Sequence, residues 1–449
     1  MVSPEMNAIL VAVVGIASLI VLIMVLRLHA FVALLLVSMG VGLGAGMSFE
    51  QVLTATQKGM GDVLGYIAIV VGLGSMFGQM LESSGGAQRL ARTLVGVFGI
   101  ERAAWALALA GFLIAIPVFF DVGFVILVPL VYSLSQSTGR SLLAFALPLV
   151  AGLAVAHAFI PPTPGPMAAA AILKADLGRV ILYGIVAGLP AAILAGPVWG
   201  HFISSKLHIP IPQHLEMPEE LPDEKLPSFG LVLGLLLIPI LLIVANTVSN
   251  ARVPGGALAD FFAFVGHPFV ALTIAALLSF TLLGTLRGMT SDEVQQLANR
   301  SLGPAGMIIL VTGAGGVFKQ MLTDSNIGAT LASSIVNLGL SPVLLAFLVA
   351  AVVRVSQGSA TVAMMTAAGL IAPVLALEQF AGVDRALVTI AVAAGSTVLS
   401  HVNDSGFWML KEFLGMSVAQ TLKSWTVLTT ILGITGFLAA VAWSTLGLF

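Results

Sequence analysis

The chain has 449 residues, of which 59 % are hydrophobic and only 8 % are charged, and its mean hydropathy is +1.10. A soluble domain is about half apolar and a quarter charged, so this composition excludes an ordinary soluble protein. The absence of cysteine excludes a disulfide framework and a thiolate metal site, and the net charge of −2 argues against nucleic acid as a partner. The sequence lacks HExxH, GxSxG and P-loop patterns, and we expect neither a metal nor a cofactor.

Long uncharged apolar stretches recur along the chain, for example from Ala8 to Leu26 and from Leu231 to Ser249. A helix of about 18 to 20 such residues crosses roughly 30 Å of hydrocarbon. The sequence therefore predicts an all-α polytopic membrane protein. The predicted crossings are at about 8–26, 30–47, 62–81, 142–173, 179–203, 229–248, 266–286, 303–322, 387–415 and 425–446.

Two further apolar segments, at about 103–134 and 342–375, are interrupted by polar and glycine residues. The arms beside each interruption are mostly too short to span, which favours re-entrant helical hairpins. We expect Pro129 and Pro373 to end the second arms. Backbone broken at membrane depth is tolerated only where protein or a water-filled cavity covers it. The two interruptions read Phe119-Phe-Asp-Val-Gly-Phe124 and Arg354-Val-Ser-Gln-Gly-Ser-Ala-Thr361.

An internal repeat relates the two parts of the chain. The stretch Gly72-Leu-Gly-Ser-Met-Phe-Gly-Gln-Met-Leu81 matches Gly313-Ala-Gly-Gly-Val-Phe-Lys-Gln-Met-Leu322 at a fixed offset. Each match is followed by a hairpin and then by a glycine-containing span that ends in histidine. The second copy follows the first by five crossings, an odd number, so we predict that the halves have opposite orientation. Inverted repeats with interrupted helices in corresponding positions are typical of secondary transporters, although Gly- and Leu-rich helices can also resemble one another by chance.

The domain organisation follows from this repeat. We expect a first transmembrane half at 1–203, with its repeat core at 62–203, and a second half at 229–449, with its repeat core at 303–449. Between them, 204–228 is rich in proline and acidic residues and is predicted to be a cytoplasmic linker.

The distribution of Lys and Arg predicts the orientation in the membrane. The side that holds the linker collects most of these residues, so it should be cytoplasmic and both termini periplasmic. The segment between Glu82 and Arg102 on that side is predicted to be a solvated loop, and Lys319 has no repeat partner and no assigned role. The poorer side holds only Lys58, Lys174, Arg179, Arg252 and Arg385.

Two charged residues lie inside the predicted hairpins. A charge at the centre of a membrane helix costs about 2.5–3.5 kcal/mol on insertion scales, so such residues should face a cavity or a partner. Asp121 either caps the second arm of its hairpin or contacts the coupling ion or substrate. Arg354 is either a buried partner for an acid such as Asp121 or Asp404, or it pairs directly with an anionic substrate.

The spans that follow the hairpins are also interrupted. His157 begins the proline-rich stretch His157-Ala-Phe-Ile-Pro-Pro-Thr-Pro-Gly-Pro166, which cannot continue an α-helix, and His401-Val-Asn-Asp-Ser-Gly406 lies at the corresponding place in the second half. Each histidine alone is more often structural. Together they predict one substrate site, with half-helix N-termini that favour an anion and polar groups that suit a polyhydroxylated ligand. Asp121 and Asp404 are the candidates for the coupling proton. The predicted substrate-binding residues are Asp121, Gly123, His157, Thr163, Arg354, Ser356, Gln357, Gly358, Ser359, Thr361, His401, Asn403, Asp404 and Ser405.

The sequence resembles the gluconate:proton symporter (gluconate permease) family over nearly its full length. The resemblance rests on the interruptions of the two hairpins, on the proline-rich stretch that begins at His157, and on the stretch His401-Val-Asn-Asp-Ser-Gly-Phe-Trp408. The resemblance implies an ion-transporter superfamily fold with two inverted repeats, each carrying a re-entrant hairpin, often dimeric and moving like an elevator. It implies import of gluconate or related sugar acids with protons. Sodium-coupled relatives carry Ser-Asn-Thr at the hairpin tips. Here the tips read Asp-Val-Gly and Gly-Ser-Ala-Thr, so sodium coupling is not expected.

The predicted function is therefore a non-enzymatic, proton-coupled importer of a sugar-acid anion, homodimeric, in the lipid bilayer of a bacterial inner membrane. The main alternative is a permease of the same family for D-serine or another short hydroxy acid. An intramembrane hydrolase using Ser405, His401 and Asp404, or an anion channel without an occluding site, would be a different class of protein.

Overall fold

The structure, a computed structural model, describes residues 4–212, 221–252, 255–327, 330 and 340–445. Every regular element within these ranges is a helix. Eight helices there are long and apolar enough to cross a membrane, and a bent pair raises the number to nine. The all-α polytopic class predicted from the sequence is confirmed.

The first part of the chain runs from α1 to α9. Its helices are α1 (Pro4–Met24), α2 (Ala30–Gly44), α3 (Phe49–Ser83), α4 (Gly86–Phe98), α5 (Ala103–Ile114), α6 (Phe120–Thr138), α7 (Leu143–Phe159), α8 (Pro164–Leu173) and α9 (Leu177–Ile193, continued by π-helical Leu194–Val198 and α-helical Trp199–Lys206). The last helix therefore extends three residues into the stretch predicted as a linker, of which 213–220 lie outside the described residues.

The next long helix begins at Phe229. The helices from that point on are α10 (Phe229–Arg252), α11 (Ala257–Val265), α12 (Pro268–Ser279, continued by π-helical Phe280–Gly284), α13 (Ser291–Asp324), α14 (Pro342–Gln357), α15 (Ala360–Ile371), α16 (Arg385–Gly395), α17 (Ser405–Phe413) and α18 (Val418–Thr421 and Val427–Thr445, joined by π-helical Leu422–Thr426). After α3 and again after α13, the chain forms a helical hairpin, a helix broken in the middle, and a long helix with a π-helical turn.

The long helices that open these two stretches begin with the same device. Ser48 and Thr290 are the N-caps of α3 and α13, and each forms a reciprocal capping box with the residue three positions on, Gln51 and Glu293. Two backbone N–H groups are thereby satisfied at each start, which fixes where the helix begins. The two helices pack against each other.

A glycine brings each broken helix against the first arm of its hairpin. A Cβ at Gly152 of α7 would overlap the carbonyl oxygen of Ala108 on α5, and a Cβ at Gly395 of α16 would overlap that of Phe347 on α14. Only glycine allows this backbone approach. The same packing therefore holds the hairpin against the break in both parts of the chain.

Two sequence predictions are wrong in this region. Pro129 does not end the second hairpin arm, because α6 continues through it to Thr138 and is 19 residues long. Pro129 is buried among neighbouring helices, where one missing backbone hydrogen bond is tolerated. The charged segment after Glu82 is not a loop either: it contains α4, whose Arg89 side chain donates to the carbonyl oxygens of Asp223 and Pro227 at 2.7 and 2.8 Å.

Candidate functional site

A cavity of about 360 Å³ opens where the hairpins meet the breaks. The first residues of three helices, Phe120 of α6, Ala360 of α15 and Ser405 of α17, all line it. Free N–H groups and the positive end of the helix dipole make such N-termini favourable surroundings for an anion. The volume lies within the range of about 300–1,000 Å³ that is usual for small-molecule sites.

An ion pair between Arg354 and Asp404 forms one wall of this cavity. The Nη2 of Arg354 donates to Oδ2 of Asp404 at 2.5 Å, and the two side chains are only 4 % and 13 % exposed. Asp404 is also the N-cap of α17, since its Oδ1 accepts from the N–H of Gly406 at 3.1 Å. The hydroxyl of Ser400 donates to Oδ2 as well. The carboxylate is therefore held by three donors, and its charge is compensated by Arg354.

Trp425 fixes the direction of the Ser400 hydroxyl. The indole N–H of Trp425 donates to Ser400 Oγ at 2.7 Å. Because an indole nitrogen only donates, the hydroxyl hydrogen of Ser400 is left to point at Asp404. The ring of Phe120 lies 5.5 Å from the Trp425 ring, which continues this wall toward α6.

The tip of the α14–α15 hairpin is tied directly to the break between α16 and α17, and this contact is here called the second junction. The side chains of His401 and Asn403 both reach the carbonyl oxygen of Val355, at 3.1 and 2.8 Å. Gly358 has φ of +80°, and a Cβ there would overlap the Asn403 backbone. The carbonyl of Gly358 also accepts from Nη1 of Arg354. The second junction is thus closed by side-chain and backbone contacts.

The first junction, between the α5–α6 hairpin tip and the break between α7 and α8, is built differently. It encloses a small cavity of about 10 Å³ lined by Ser75, Phe119, His157 and Thr163, among others. The Thr163 hydroxyl donates to the carbonyl of Ile160 at 2.6 Å. Among the described residues, neither Ser75 Oγ nor His157 Nδ1 has a hydrogen-bond partner, although both atoms are buried.

The predicted site residues divide into two groups. Those that line the large cavity are Asp121, His157, Arg354, Ser359, Thr361, Asp404 and Ser405. Those that do not line it are Gly123, Thr163, Ser356, Gln357, Gly358, His401 and Asn403. Gly123 packs α6 against Leu153 of α7, and the Ser356 hydroxyl donates to Val352 in its own helix. Gln357 Oε1 is buried and has no partner among the described residues.

The structure distinguishes between the alternatives for the two charged residues. The N-cap of α6 is Phe119, and no side chain caps that helix, so Asp121 does not have the capping role. Its exposed carboxylate lines the cavity and forms no ion pair or hydrogen bond with the described residues. For Arg354, the prediction of a buried acidic partner is confirmed, and that partner is Asp404.

Sequence reasoning did not identify several residues that form or support the cavity wall. Ser400 supports the wall through its hydrogen bond to Asp404, and its position directly before His401 was the available signal. Trp425 lies in the π-helical turn of α18, which has no recognisable sequence pattern. The remaining unpredicted lining residues are mostly apolar and resemble any core positions: Phe119, Phe120, Ala154, Ala158, Ile308, Ala360, Thr397, Gly406, Met409, Thr429 and Leu432.

Residues 7–446 match the model of a protein family described as GntP family permease. The chain is 43 % identical over 432 residues to the low-affinity gluconate transporter of Escherichia coli strain K12, covering 96 % of this chain and 97 % of that one. It is 42 % identical over 430 residues to a gluconate permease of Pseudomonas aeruginosa, covering 95 % of each chain. The fold is similar to that of the YdaH transporter of Alcanivorax borkumensis, with a TM-score of 0.66 at 15 % identity over 94 % of this chain and 99 % of that one.

Proposed function

The chain belongs to the GntP permease family and is a multi-pass membrane transporter, and we propose that it imports gluconate or a related sugar acid together with protons. One observation carries the proposal: the unpaired carboxylate of Asp121 shares a cavity with three helix N-termini. The names of the relatives support gluconate as the first substrate to test.

The cavity suits a polyhydroxylated anion. The helix starts at Phe120, Ala360 and Ser405 attract the carboxylate, and hydroxyl groups on Thr361 and Ser405 are placed to bind those of a sugar acid. Arg354 keeps Asp404 in place and neutralises it, so this pair adds no net charge that would repel an anion.

The same geometry explains why a proton would travel with the substrate. Asp121 is the acid in the cavity wall without a cationic partner among the described residues, so its negative charge opposes an anionic ligand. A proton on Asp121 removes that repulsion, and by linkage the bound anion favours the proton to the same extent. The charge of Asp404 is already compensated by Arg354. Of the two acids predicted as carriers, we therefore propose Asp121.

For the architecture, we propose two inverted repeats within halves at 1–203 and 229–449, with α5–α6 and α14–α15 as re-entrant hairpins. The recurring order of hairpin, broken helix and long helix supports this division. Alternating access follows if the hairpins and broken helices move together, like an elevator, against a scaffold of α1, α2 and α10 to α12. We further propose that this scaffold forms a homodimer contact in a bacterial inner membrane, with both termini periplasmic.

The test is uptake by the purified protein in liposomes. Gluconate should accumulate against its gradient when the interior is more alkaline than the medium, and accumulation should collapse when a protonophore removes the pH difference. A panel of other sugar acids, short hydroxy acids and D-serine identifies the preferred substrate. Downhill flux that a pH difference never converts to accumulation would contradict the proposal and favour a channel.

A further inference from the structure

His157 lies between two cavities of different size. Its ring lines both the large cavity and the small cavity of the first junction. Its Nδ1 is buried without a partner among the described residues. Nε2 forms no hydrogen bond with those residues either, but it is not fully buried. Since the residue also lines the large cavity, this nitrogen is the one available to the substrate, while Nδ1 is enclosed.

The corresponding histidine of the second half has no such freedom. The Nε2 of His401 lies 3.1 Å from the carbonyl oxygen of Val355. A carbonyl only accepts, so this nitrogen must carry a hydrogen for the contact to be a hydrogen bond. The proton on Nε2 of His401 is thereby fixed by the backbone.

We propose that the first junction binds one water molecule, which bridges the hydroxyl of Ser75 and Nδ1 of His157. The small cavity, of about 10 Å³, has room for one water at most. A buried water needs two or more polar partners, and these two buried atoms otherwise have none among the described residues. Ser75 is only 6 % exposed, so its hydroxyl has no access to bulk solvent as an alternative.

This water would let the His157 ring gain and lose a proton. The proton that changes place is the one on Nε2, which enters from the large cavity and returns to it. Nδ1 therefore carries its hydrogen in both states of the ring and donates it to the water throughout, so the enclosed nitrogen is satisfied in either state. Ser75 acts here as a positioning residue, through the water. The inference rests on the proposed proton coupling.

Other charged groups face the same space and set the electrostatic environment of His157. Asp121 of α6 lines the large cavity with it, and the pair Arg354–Asp404 lies on another wall. On α3, the nearest charge beyond Ser75 is Glu82, seven residues further along. A pH profile must therefore be measured with each of these groups unchanged.

The decisive variant is Ser75→Ala, with Thr366→Val as the matched control. Thr366 has a buried hydroxyl with no partner among the described residues, as Ser75 does, but it lines neither cavity. We expect Ser75→Ala to shift the pH of half-maximal gluconate uptake by about half a unit or more, the size of one lost hydrogen bond. Thr366→Val should leave the profile in place. In a His157→Gln background, Ser75→Ala should have no further effect.

A cryo-EM map of the wild-type protein at a resolution that shows ordered waters provides the second test. Density between Ser75 Oγ and His157 Nδ1 is expected, and its absence overturns the inference, as does an unchanged pH profile in a well-folded Ser75→Ala variant. Should Ser75→Ala fail to fold, the map alone decides. Should the wild type fail to accumulate gluconate, the proposed function is wrong, and the map still shows whether the water site exists.

Discussion

The two junctions between hairpin tip and broken helix have the same place in the chain order but opposite chemistry. At the second junction, Arg354 and Asp404 form an ion pair, and the side chains of His401 and Asn403 hydrogen-bond to the carbonyl oxygen of Val355. At the first, Asp121 and His157 have no hydrogen-bond partner among the described residues. We propose that this difference reflects two roles: the second junction forms a fixed, charge-balanced wall, and the first junction holds the groups that bind protons and water.

The comparison predicts its largest effect at Asp121. Asp121→Asn should abolish accumulation of gluconate driven by a pH difference, because the amide cannot take up the coupling proton. Exchange of internal for external gluconate should persist, since the variant resembles the protonated state. Both are measured in liposomes, with Asp62→Asn, an exposed acid on α3 outside the cavity, as the control. A variant that still accumulates gluconate would remove Asp121 from the coupling mechanism.

A second prediction compares the loss of folding stability when Asp404 or Asp121 is replaced by Asn. Asp404→Asn leaves the buried guanidinium of Arg354 without its counter-charge, which typically destabilises a protein by about 3–5 kcal/mol. Asp121→Asn breaks no contact with the described residues and should change stability by about 0.5 kcal/mol or less. Thermal unfolding in the same detergent measures both. Equal losses would mean that the first junction is as tightly bonded as the second.

A third prediction concerns the backbone of the two tips. Gly358→Ala places a Cβ at a positive φ and against the Asn403 backbone, so we expect a loss of about 1–3 kcal/mol and weaker substrate binding. Gly123→Ala in α6 has helical backbone, and its Cβ would overlap only the flexible end of the Leu153 side chain, with Ile114 at ordinary contact distance. The helix propensity of alanine, worth up to about 1 kcal/mol, offsets that contact. A larger loss of stability in Gly123→Ala than in Gly358→Ala would contradict this prediction.

The sequence predicted the elements of this fold well where a break in a helix requires proline or polar residues. Proline and polar residues inside apolar runs marked the break after His157 and the hairpin tip at Gly358, because an apolar helix has no other reason to contain them. The sequence did not choose between Asp121 and Asp404 as the partner of Arg354, since pairing over 50 residues depends on how helices pack. The sequence did not predict the role of Trp425 for the same reason: its indole donates to Ser400 from a π-helical turn in α18, and that position depends on how the helices pack.

The smallest predicted effect tests which face of the second hairpin tip meets the substrate. Thr361 lines the cavity and forms no hydrogen bond with the described residues, whereas the Ser356 hydroxyl donates to Val352 at 2.6 Å and lies outside the cavity. Thr361→Val should therefore weaken gluconate binding by about threefold to tenfold, the size of one neutral hydrogen bond. Ser356→Ala should change it by less than about twofold, because its hydroxyl already has a partner in its own helix. Isothermal titration calorimetry of both variants at one pH measures their affinity for gluconate and shows whether the face with Thr361 or the face with Ser356 meets the substrate. If Ser356→Ala weakens binding as much as Thr361→Val, the substrate reaches behind the tip, and the closed wall of the second junction must open during transport.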